Sequence, residues 1–343
     1  MRSNRYLIYL SVLSLIFIIL TAPSFFKEKH INPTFSRIQM GTLVEITFLD
    51  DDNETFDNAA EAAFAEIQRL EALMSEYIPE SEVSRINSSA GRDAVRVSPE
   101  VFAVIEKALE VSRLSEGAFD PTVGALFGKA WNFSDETQNV PAKEELKKLV
   151  ALVDWRKIIL DKGSSSVMLE KQGMGITLGG VAKGYIVGRA VEKLKEKGIK
   201  SAMVKAGGDM FVFALRGARP FKIGIQHPRK TGAFAGILKD VSDAAIATSG
   251  DYERYFIKDK VRFHHILDPK TGFPAQDSMS VTVVSKDPAL ADALSTAVFV
   301  MGPEKGMALI EQFATEGVEA VIIDSKGNAS VSSGLKGKVD IFE

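Results

Sequence analysis

Apolar and polar residues follow two kinds of period along this chain, and together they predict strands interspersed with helices. Residues 40–48 alternate as in a half-exposed strand. From residue 55 to 74 the apolar residues recur every three or four positions, which predicts an amphipathic helix. A second helix is predicted at 99–115, with Ser98 as its N-cap and Gly117 just past its end.

The remaining two thirds of the chain carries more predicted strands than helices. A helix follows the glycine-rich segment 179–184 and ends near residue 197, and two more are predicted at 288–300 and 303–314. Strands are predicted at 157–161, 166–170, 202–212 (two strands around a Gly-Gly-Asp turn), 221–225, 235–239, 244–247, 261–266, 279–285 and 320–323. Because there is no regular βαβ rhythm, the predicted fold class is α+β.

The first 26 residues have the pattern of an export segment. A basic flank at 1–5 precedes an almost wholly apolar run at 6–26, just long enough for the roughly 20 residues that span a bilayer. No clear small-residue cleavage site follows, which favours an uncleaved anchor over a removed signal. The arginines at the start would stay in the cytoplasm. We therefore predict an N-terminal anchor and linker at 1–30, with linker character to residue 36, and an exported domain at 31–343 on the periplasmic face of the inner membrane.

Composition narrows the possible chemistry. The 343-residue chain has a formal net charge of −3, which gives no electrostatic case for a nucleic-acid partner. It has no cysteine, so disulfides, thiolate catalysis and thiolate zinc sites are excluded. Any metal must be held by oxygen or by one of four histidines.

Two glycine-rich segments are candidates for binding a phosphorylated ligand. Gly-Ala-Phe-Asp-Pro-Thr at 117–122 places an aromatic side chain beside an extended turn. The segment 175–185 leads into a helix whose first N–H groups could bind a phosphate. A cation in the first turn of a helix is normally unfavourable, so the position of Lys183 is easier to explain if an anion binds there. Neither segment fits a standard nucleotide fingerprint, and turns between strands remain an alternative for each.

Two further segments carry polar side chains suited to catalysis or metal binding. His264 and His265 precede an Asp-Pro-Lys-Thr-Gly turn, and since adjacent strand residues face opposite sides, only one can serve a given site. Asp292 and Thr296 lie four residues apart in a predicted helix and so face one direction. A carboxylate with a hydroxyl suits Mg²⁺ or Ca²⁺, although this spacing is common by chance.

Taken in order, the segments resemble the ApbE family of FAD:protein FMN transferases. The resemblance extends from residue 40 to about residue 302. The matching segments are Met-Gly-Thr at 40–42, 117–122, Leu-Gly-Gly-Val-Ala-Lys-Gly-Tyr at 178–185, Ala-Gly-Gly-Asp at 206–209, Thr-Ser-Gly-Asp-Tyr at 248–252, 264–272 and 291–297. The resemblance implies an α+β flavin transferase domain of two subdomains with mixed or antiparallel sheets, and FAD in the cleft between them.

The resemblance also implies a set of site residues. The residues expected to contact FAD are Met40, Tyr77, Ala118, Phe119, Asp120, Thr177, Lys183 and Ile266. Mg²⁺ is expected on Asp292 and Thr296, with the carbonyl of Gly180 as a third oxygen. The family usually carries Asp at the position of Thr177, which puts that adenosine contact in doubt. His265 is our candidate base, because imidazole titrates near neutral pH, and Asp292 is expected at a cleft surface with little packing.

The activity implied is metal-dependent transfer of FMN from FAD to a threonine hydroxyl of an acceptor protein, with release of AMP. The implied partner is an acceptor subunit of the Na⁺-pumping quinone reductase or Rnf type, and the membrane is reached through the N-terminal segment. Two alternatives remain open at this point. One is an FAD pyrophosphatase that releases FMN and AMP, and the other is a protein that binds or stores FAD without turnover.

Overall fold

The computed structural model of this protein describes residues 32–49, 55–133, 140–214 and 220–342. The predicted anchor at 1–30 lies outside the described residues. Within the described ranges, no helix is both long enough and apolar enough to cross a membrane.

The described chain contains six α-helices and sixteen strands. The helices are α1 Phe56–Met74, α2 Glu82–Ser88, α3 Pro99–Leu114, α4 Lys143–Val150, α5 Ala182–Glu196 and α6 Pro288–Glu311. The strands are β1 Thr34–Gln39, β2 Thr42–Phe48, β3 Val95–Arg96, β4 Ile158–Asp161, β5 Ser166–Leu169, β6 Ala202–Ala206, β7 Asp209–Phe213, β8 Phe221–Gln226, β9 Phe234–Val241, β10 Ala244–Gly250, β11 Tyr255–Lys258, β12 Val261–His264, β13 Ser278–Ser285, β14 Glu319–Asp324, β15 Ala329–Val331 and β16 Val339–Ile341.

Eight of these strands form one sheet in the order β1-β2-β6-β7-β10-β13-β14-β15, and every neighbouring pair is antiparallel. Three small antiparallel sheets, β3-β5-β4, β16-β9-β8 and β11-β12, complete the set. Strands and helices follow one another without parallel crossovers, so the predicted α+β class is confirmed.

The main core lies between the large sheet and helices α1, α5 and α6. In β2, Val44, Ile46 and Phe48 are fully buried, as the alternation predicts, and Phe48 stacks on Phe56 of α1 with ring centroids 4.2 Å apart. Helix α6 is apolar on all sides because it packs against β10, β13 and β14 as well as α3 and α5. Its predicted interruption is present at Gly302, where φ is 77°.

Two predictions about the N-terminal part of the domain were wrong. The expected linker to residue 36 overlaps β1, which pairs with β2, and the expected single strand from residue 40 begins only at Thr42. Met40 and Gly41 form the turn between these strands, with φ of 53° and 66°. Strand β1 lies at a sheet edge and its Ile38 is 74% exposed, so its sequence lacks the alternation that marks a half-buried strand.

Candidate functional site

The start of α5 and the first turns of α6 approach each other very closely. The backbone N–H of Gly184 donates a 2.9 Å hydrogen bond to Oδ2 of Asp292. A Cβ atom on Gly184 would lie 2.7 Å from the Cβ of Asp292 and would collide with the carbonyl oxygen of Pro288. Only glycine permits this approach, which aims the Asp292 carboxylate at the N-terminal turn of α5. Asp292 is 3% exposed, so the expectation that it carries little packing was wrong.

Thr296 lies one helical turn after Asp292 and faces the chain segment that immediately precedes α5. A Cβ atom on Gly180 would lie 3.1 Å from both Thr296 Oγ1 and Phe119 Cε2, so these three residues are in close proximity. Thr296 Oγ1 is also 3.1 Å from Oγ of Ser249, near the end of β10. The structure thus brings Gly180, Asp292 and Thr296 to the N-terminal end of α5, with the two α6 side chains on one side of their helix.

At the N-terminal end of α5, the buried carboxylates outnumber the buried ammonium groups. Lys183 forms an ion pair with Asp209, which is 2% exposed on β7, and the Asp292 carboxylate is bonded to the N–H of the next residue, Gly184. Burial works against the charge on Lys183, but the carboxylates of Asp209 and Asp292 outweigh it and raise the lysine pKa. Burial and the Asp209 carboxylate raise the pKa of Asp292 to about 7, against the opposing effects of Lys183 and the Gly184 N–H. Two buried carboxylates with one ammonium, beside a hydroxyl, suit an additional hard cation.

The two histidines have different surroundings. His264 ends β12 and is 2% exposed; its Nε2 lies 2.7 Å from the carbonyl of Ala275, and its Nδ1 accepts from the N–H of Ile266. Both ring nitrogens are engaged, so this ring holds the following turn in place. Burial lowers its pKa.

The His265 ring points elsewhere and is half-buried. Its Nδ1 lies 3.3 Å from the carbonyl oxygen of Arg254. Desolvation, followed by the charge effects of His264, Arg254 and Lys183, lowers its pKa to about 3. The Lys183 charge is among the causes of this lowered pKa, and with a pKa of about 3 the His265 imidazole is neutral at pH 7.

Arg254 joins this histidine to the turn at the end of β1. The backbone N–H of His265 donates to the Arg254 carbonyl at 3.1 Å, and the Arg254 guanidinium lies 3.3 Å from where a Cβ of Gly41 would stand. Met40, half-buried and packed against the main core, is therefore close to the arginine that contacts His265. Ile266 is buried at 6% exposure, and its carbonyl accepts from Ala275.

The segment Ala118–Asp120 provides one wall of the site through Phe119. Ala118 is half-buried, and the Phe119 ring is 4% exposed against Gly180. The Asp120 carboxylate accepts from the N–H and hydroxyl of Thr122 at 2.8 and 2.5 Å and from the N–H of Trp155 at 3.0 Å. Burial raises its pKa to about 6 despite these bonds. Its carboxylate is thus engaged with protein groups.

Thr177 meets a carboxylate from a distant part of the chain. Its hydroxyl donates to Oε1 of Glu76 at 2.7 Å and accepts from the N–H of Gly179 at 3.2 Å. Asn87 holds the segment before α5 in place, because its side-chain amide exchanges hydrogen bonds of 2.7 and 2.9 Å with the backbone of Ile176. Tyr77, next to Glu76, is 73% exposed and offers a free aromatic face.

Comparison with known proteins identifies the family of this chain. A family model described as the ApbE family matches residues 40–322. The chain belongs to the ApbE family. It is similar to a protein named FAD:protein FMN transferase from Treponema pallidum (strain Nichols), with 35% identity over 300 residues that cover 83% of this chain and 82% of that protein. It is also similar to one of the same name from Klebsiella pneumoniae (strain 342), with 33% identity over 302 residues, or 88% and 92% of the two chains.

Solved ApbE structures have the same fold. A crystal structure of the ApbE protein from Thermotoga maritima aligns with a TM-score of 0.82 at 33% identity, covering 90% of this chain and 99% of that one. The flavin transferase ApbE from Vibrio cholerae aligns with a TM-score of 0.78 at 29% identity, with the same coverage. Membership of the ApbE family is confirmed, and with it the prediction that the chain is an enzyme, a transferase.

Four residues at the ApbE site received no role from sequence reasoning. Asp209 lies within a family motif, but its role as the ion-pair partner of Lys183 is visible only in the structure. Glu76, Arg254 and Ser249 reach the site from separate loops and a strand end. Ser249 lies within the matching segment at 248–252, whereas Glu76 and Arg254 lie outside the matching segments and carry no sequence signal that would single them out.

Proposed function

We propose that this ApbE protein transfers the FMN portion of FAD to a threonine hydroxyl of an acceptor protein, with Mg²⁺ and with release of AMP. The observation that carries the proposal is the meeting of Asp292, Thr296 and Gly180 at the N-terminal end of α5, beside Lys183. The names of the relatives from Treponema and Klebsiella support FAD as the flavin donor and a protein as the acceptor.

The α5 site offers a binding place for the diphosphate of FAD. The first N–H groups of the helix and the ammonium of Lys183 attract an anion. Mg²⁺ held by the Asp292 carboxylate, the Thr296 hydroxyl and the Gly180 carbonyl would neutralise charge on the diphosphate. The surplus buried negative charge of Asp209 and Asp292 over Lys183 favours such a cation. It also argues against a protein that only stores FAD.

The transfer exchanges the phosphoanhydride bond of FAD for a phosphate ester bond to the acceptor. The acceptor oxygen forms a bond to the phosphorus of the FMN moiety, the bond from that phosphorus to the bridging oxygen breaks, and AMP leaves with that oxygen. The hydroxyl proton passes to His265, which is neutral and whose ring nitrogen away from Arg254 has no hydrogen-bond partner among the described residues. A diphosphate bound beside Lys183 adds negative charge that raises the pKa of the ring and makes it a better base.

The proposed setting is the periplasmic face of the inner membrane. The basic and then apolar residues at the start of the chain support an export signal or anchor. In this setting the acceptor is a subunit of the Na⁺-pumping quinone reductase or Rnf type, whose threonine is exposed outside the cytoplasm.

The test combines the purified protein with FAD, MgCl₂ and the flavin-carrying subunit of a Na⁺-pumping quinone reductase. Flavin fluorescence that stays on the denatured acceptor, with AMP released in equal amount, supports the proposal. An acceptor with Thr→Val at the modified position and a reaction with excess EDTA are the matched controls, and both should remain unlabelled. Free FMN and AMP with an unlabelled acceptor would instead identify a pyrophosphatase.

A further inference from the structure

A polar cavity of about 170 Å³ lies beside His264 at the end of β12. Arg229, Asp251, Arg262, His264 and Ser278 are among its lining residues. The volume exceeds what a single water needs by about tenfold, so a small charged group fits. His264, which lines the cavity, directly precedes His265 in the chain.

The cavity has one cation without a carboxylate partner among the described residues. The Asp251 carboxylate is occupied by Arg229 through two bonds of 2.6 Å, so these charges cancel. His264 is buried and its pKa is lowered, so it adds no charge at pH 7. Arg262 donates to the Asp251 carbonyl at 3.3 Å, and its guanidinium stacks on the Tyr255 ring at 3.8 Å. Its other donors contact no carboxylate in the described part of the chain.

A buried hydroxyl points to a missing hydrogen-bond partner. Ser278 lines the cavity and is 3% exposed, yet its Oγ has no hydrogen-bond partner among the described residues. Buried hydroxyls are normally paired, because a hydroxyl that is removed from water without a new partner destabilises the fold. The Arg262 donors that the Asp251 carbonyl does not engage, together with the Ser278 hydroxyl, form a set of donors suited to a carboxylate.

The surface beside the cavity favours a protein as the source of that carboxylate. Tyr255, Ile257 and Arg262 share one face of the β11-β12 hairpin, since Ile257 pairs directly with Arg262 and Tyr255 with His264. Tyr255 is 39% exposed and Ile257 is 62% exposed. An exposed aromatic and aliphatic pair around an arginine is typical of a protein-docking surface.

We propose that this cavity binds an acidic side chain of the acceptor protein, so that the acceptor docks on Tyr255 and Ile257 with its hydroxyl directed toward His265. The inference rests on the proposed function, because it takes the partner to be the flavin acceptor. Arg262 and Ser278 would then determine how tightly the acceptor binds, without contacting FAD.

The experiment measures acceptor binding in the absence of turnover. The probe is the flavin-carrying quinone reductase subunit, titrated calorimetrically into the protein without FAD or Mg²⁺. Arg262→Gln is expected to weaken binding by about tenfold or more, and Ser278→Ala by about fivefold, as for one lost hydrogen bond. Ser280→Ala is the matched control: this serine is equally buried two residues further along β13 but does not line the cavity, so binding should not change.

FAD affinity, followed by quenching of flavin fluorescence, should be equal in all three variants and the wild-type protein. Exchanging each Asp or Glu near the acceptor threonine for its amide should reveal one position that makes binding insensitive to Arg262→Gln. Equal acceptor affinity in Arg262→Gln, in Ser278→Ala and in the wild-type protein would overturn the proposal, as would no binding by the wild-type protein. Sodium acetate could also raise the Tm of the wild-type protein but not that of Ser278→Ala. If the two proteins then bound the acceptor equally well, the cavity would be a site for small carboxylates and the proposal would be overturned. Failure of flavin transfer by the wild-type protein would contradict only the proposed function, since binding is measured without turnover.

Discussion

The hydroxyl of Thr177 donates a 2.7 Å hydrogen bond to the carboxylate of Glu76, although 101 positions separate the two residues. The resemblance to the ApbE family implies an acidic residue at position 177, and here the acidic group comes from the loop after α1 instead. The neutral Thr177 is therefore matched to its neighbour, since a hydroxyl can donate where a second carboxylate would repel.

Replacing Thr177→Asp should destabilise this protein even though it introduces the family residue. Two carboxylates would meet at hydrogen-bond distance, and we expect the free energy of unfolding to fall by about 1–3 kcal/mol at pH 8. The loss should shrink as the pH falls toward 4, where the pair takes up a proton and one acid can donate to the other. Urea unfolding at both pH values measures this. Adding Glu76→Gln should restore most of the stability, and a single variant as stable as the wild-type protein at pH 8 would contradict the argument.

Replacing Gly184→Ala should separate α5 from α6. Alanine favours an isolated helix over glycine by about 1 kcal/mol, but here its methyl would collide with Pro288 and Asp292. We expect a net loss of about 1–3 kcal/mol in unfolding free energy, together with weaker FAD binding, because the Asp292 carboxylate loses its position. Gly163→Ala, where the nearest neighbour is a side-chain oxygen at 3.3 Å, is the control and should change little. A stabilised Gly184→Ala protein would show that the helices can move apart freely.

Replacing Asp292→Asn should abolish transfer and leave the fold intact. The amide can keep the bond from the Gly184 N–H but removes the charge proposed to hold Mg²⁺. The rate should fall by about 10²-fold or more, which corresponds to several kcal/mol of lost charge stabilisation. Tm should stay close to the wild-type value, since a buried carboxylate with a pKa near 7 is replaced by a neutral group. A variant that transfers flavin at the wild-type rate would exclude Asp292 as a ligand of the catalytic metal ion.

Replacing His265→Gln should affect both catalysis and the pH dependence of stability. Transfer is expected to slow by about 10²–10⁴-fold, as for loss of a general base. The folded pKa of about 3 lies below the usual value of 6.5, so the unfolded chain takes up a proton first as the pH falls. The His265 contribution to stability is therefore complete above pH 6.5 and is lost progressively below it. Between pH 7 and 5 the variant should lose less unfolding free energy than the wild-type protein. Parallel stability curves would show that the ring is not perturbed in the folded state.

Sequence patterns predicted the elements that carry the site better than the contacts within it. Helices α1 and α3, the Ser98 cap and the interruption in α6 follow directly from periodicity and from local capping chemistry. Strand β1 was missed because an edge strand has little buried surface to impose alternation. Helix α2 was missed because seven residues are too few to show a period.

For the site, the four-residue spacing in α6 was sufficient to place Asp292 and Thr296 on one side, since both lie on a single rigid element. The choice between His264 and His265 was left to a general rule about strands and to the resemblance. In the structure, the Ala275 carbonyl and the Ile266 N–H engage both nitrogens of the His264 ring, whereas His265 has one ring nitrogen near the Arg254 carbonyl.

The sequence by itself determined where this chain forms most of its helices and strands and which family it joins. These properties depend on neighbours within a few positions or on ordered motifs. Only the tertiary structure decided that Asp209 neutralises Lys183 from 26 residues away, that Glu76 reaches Thr177, and that Ser278 faces a cavity beside Arg262 without a partner. Such pairings depend on how separate elements pack, and packing is set by the sum of many weak contacts across the whole chain.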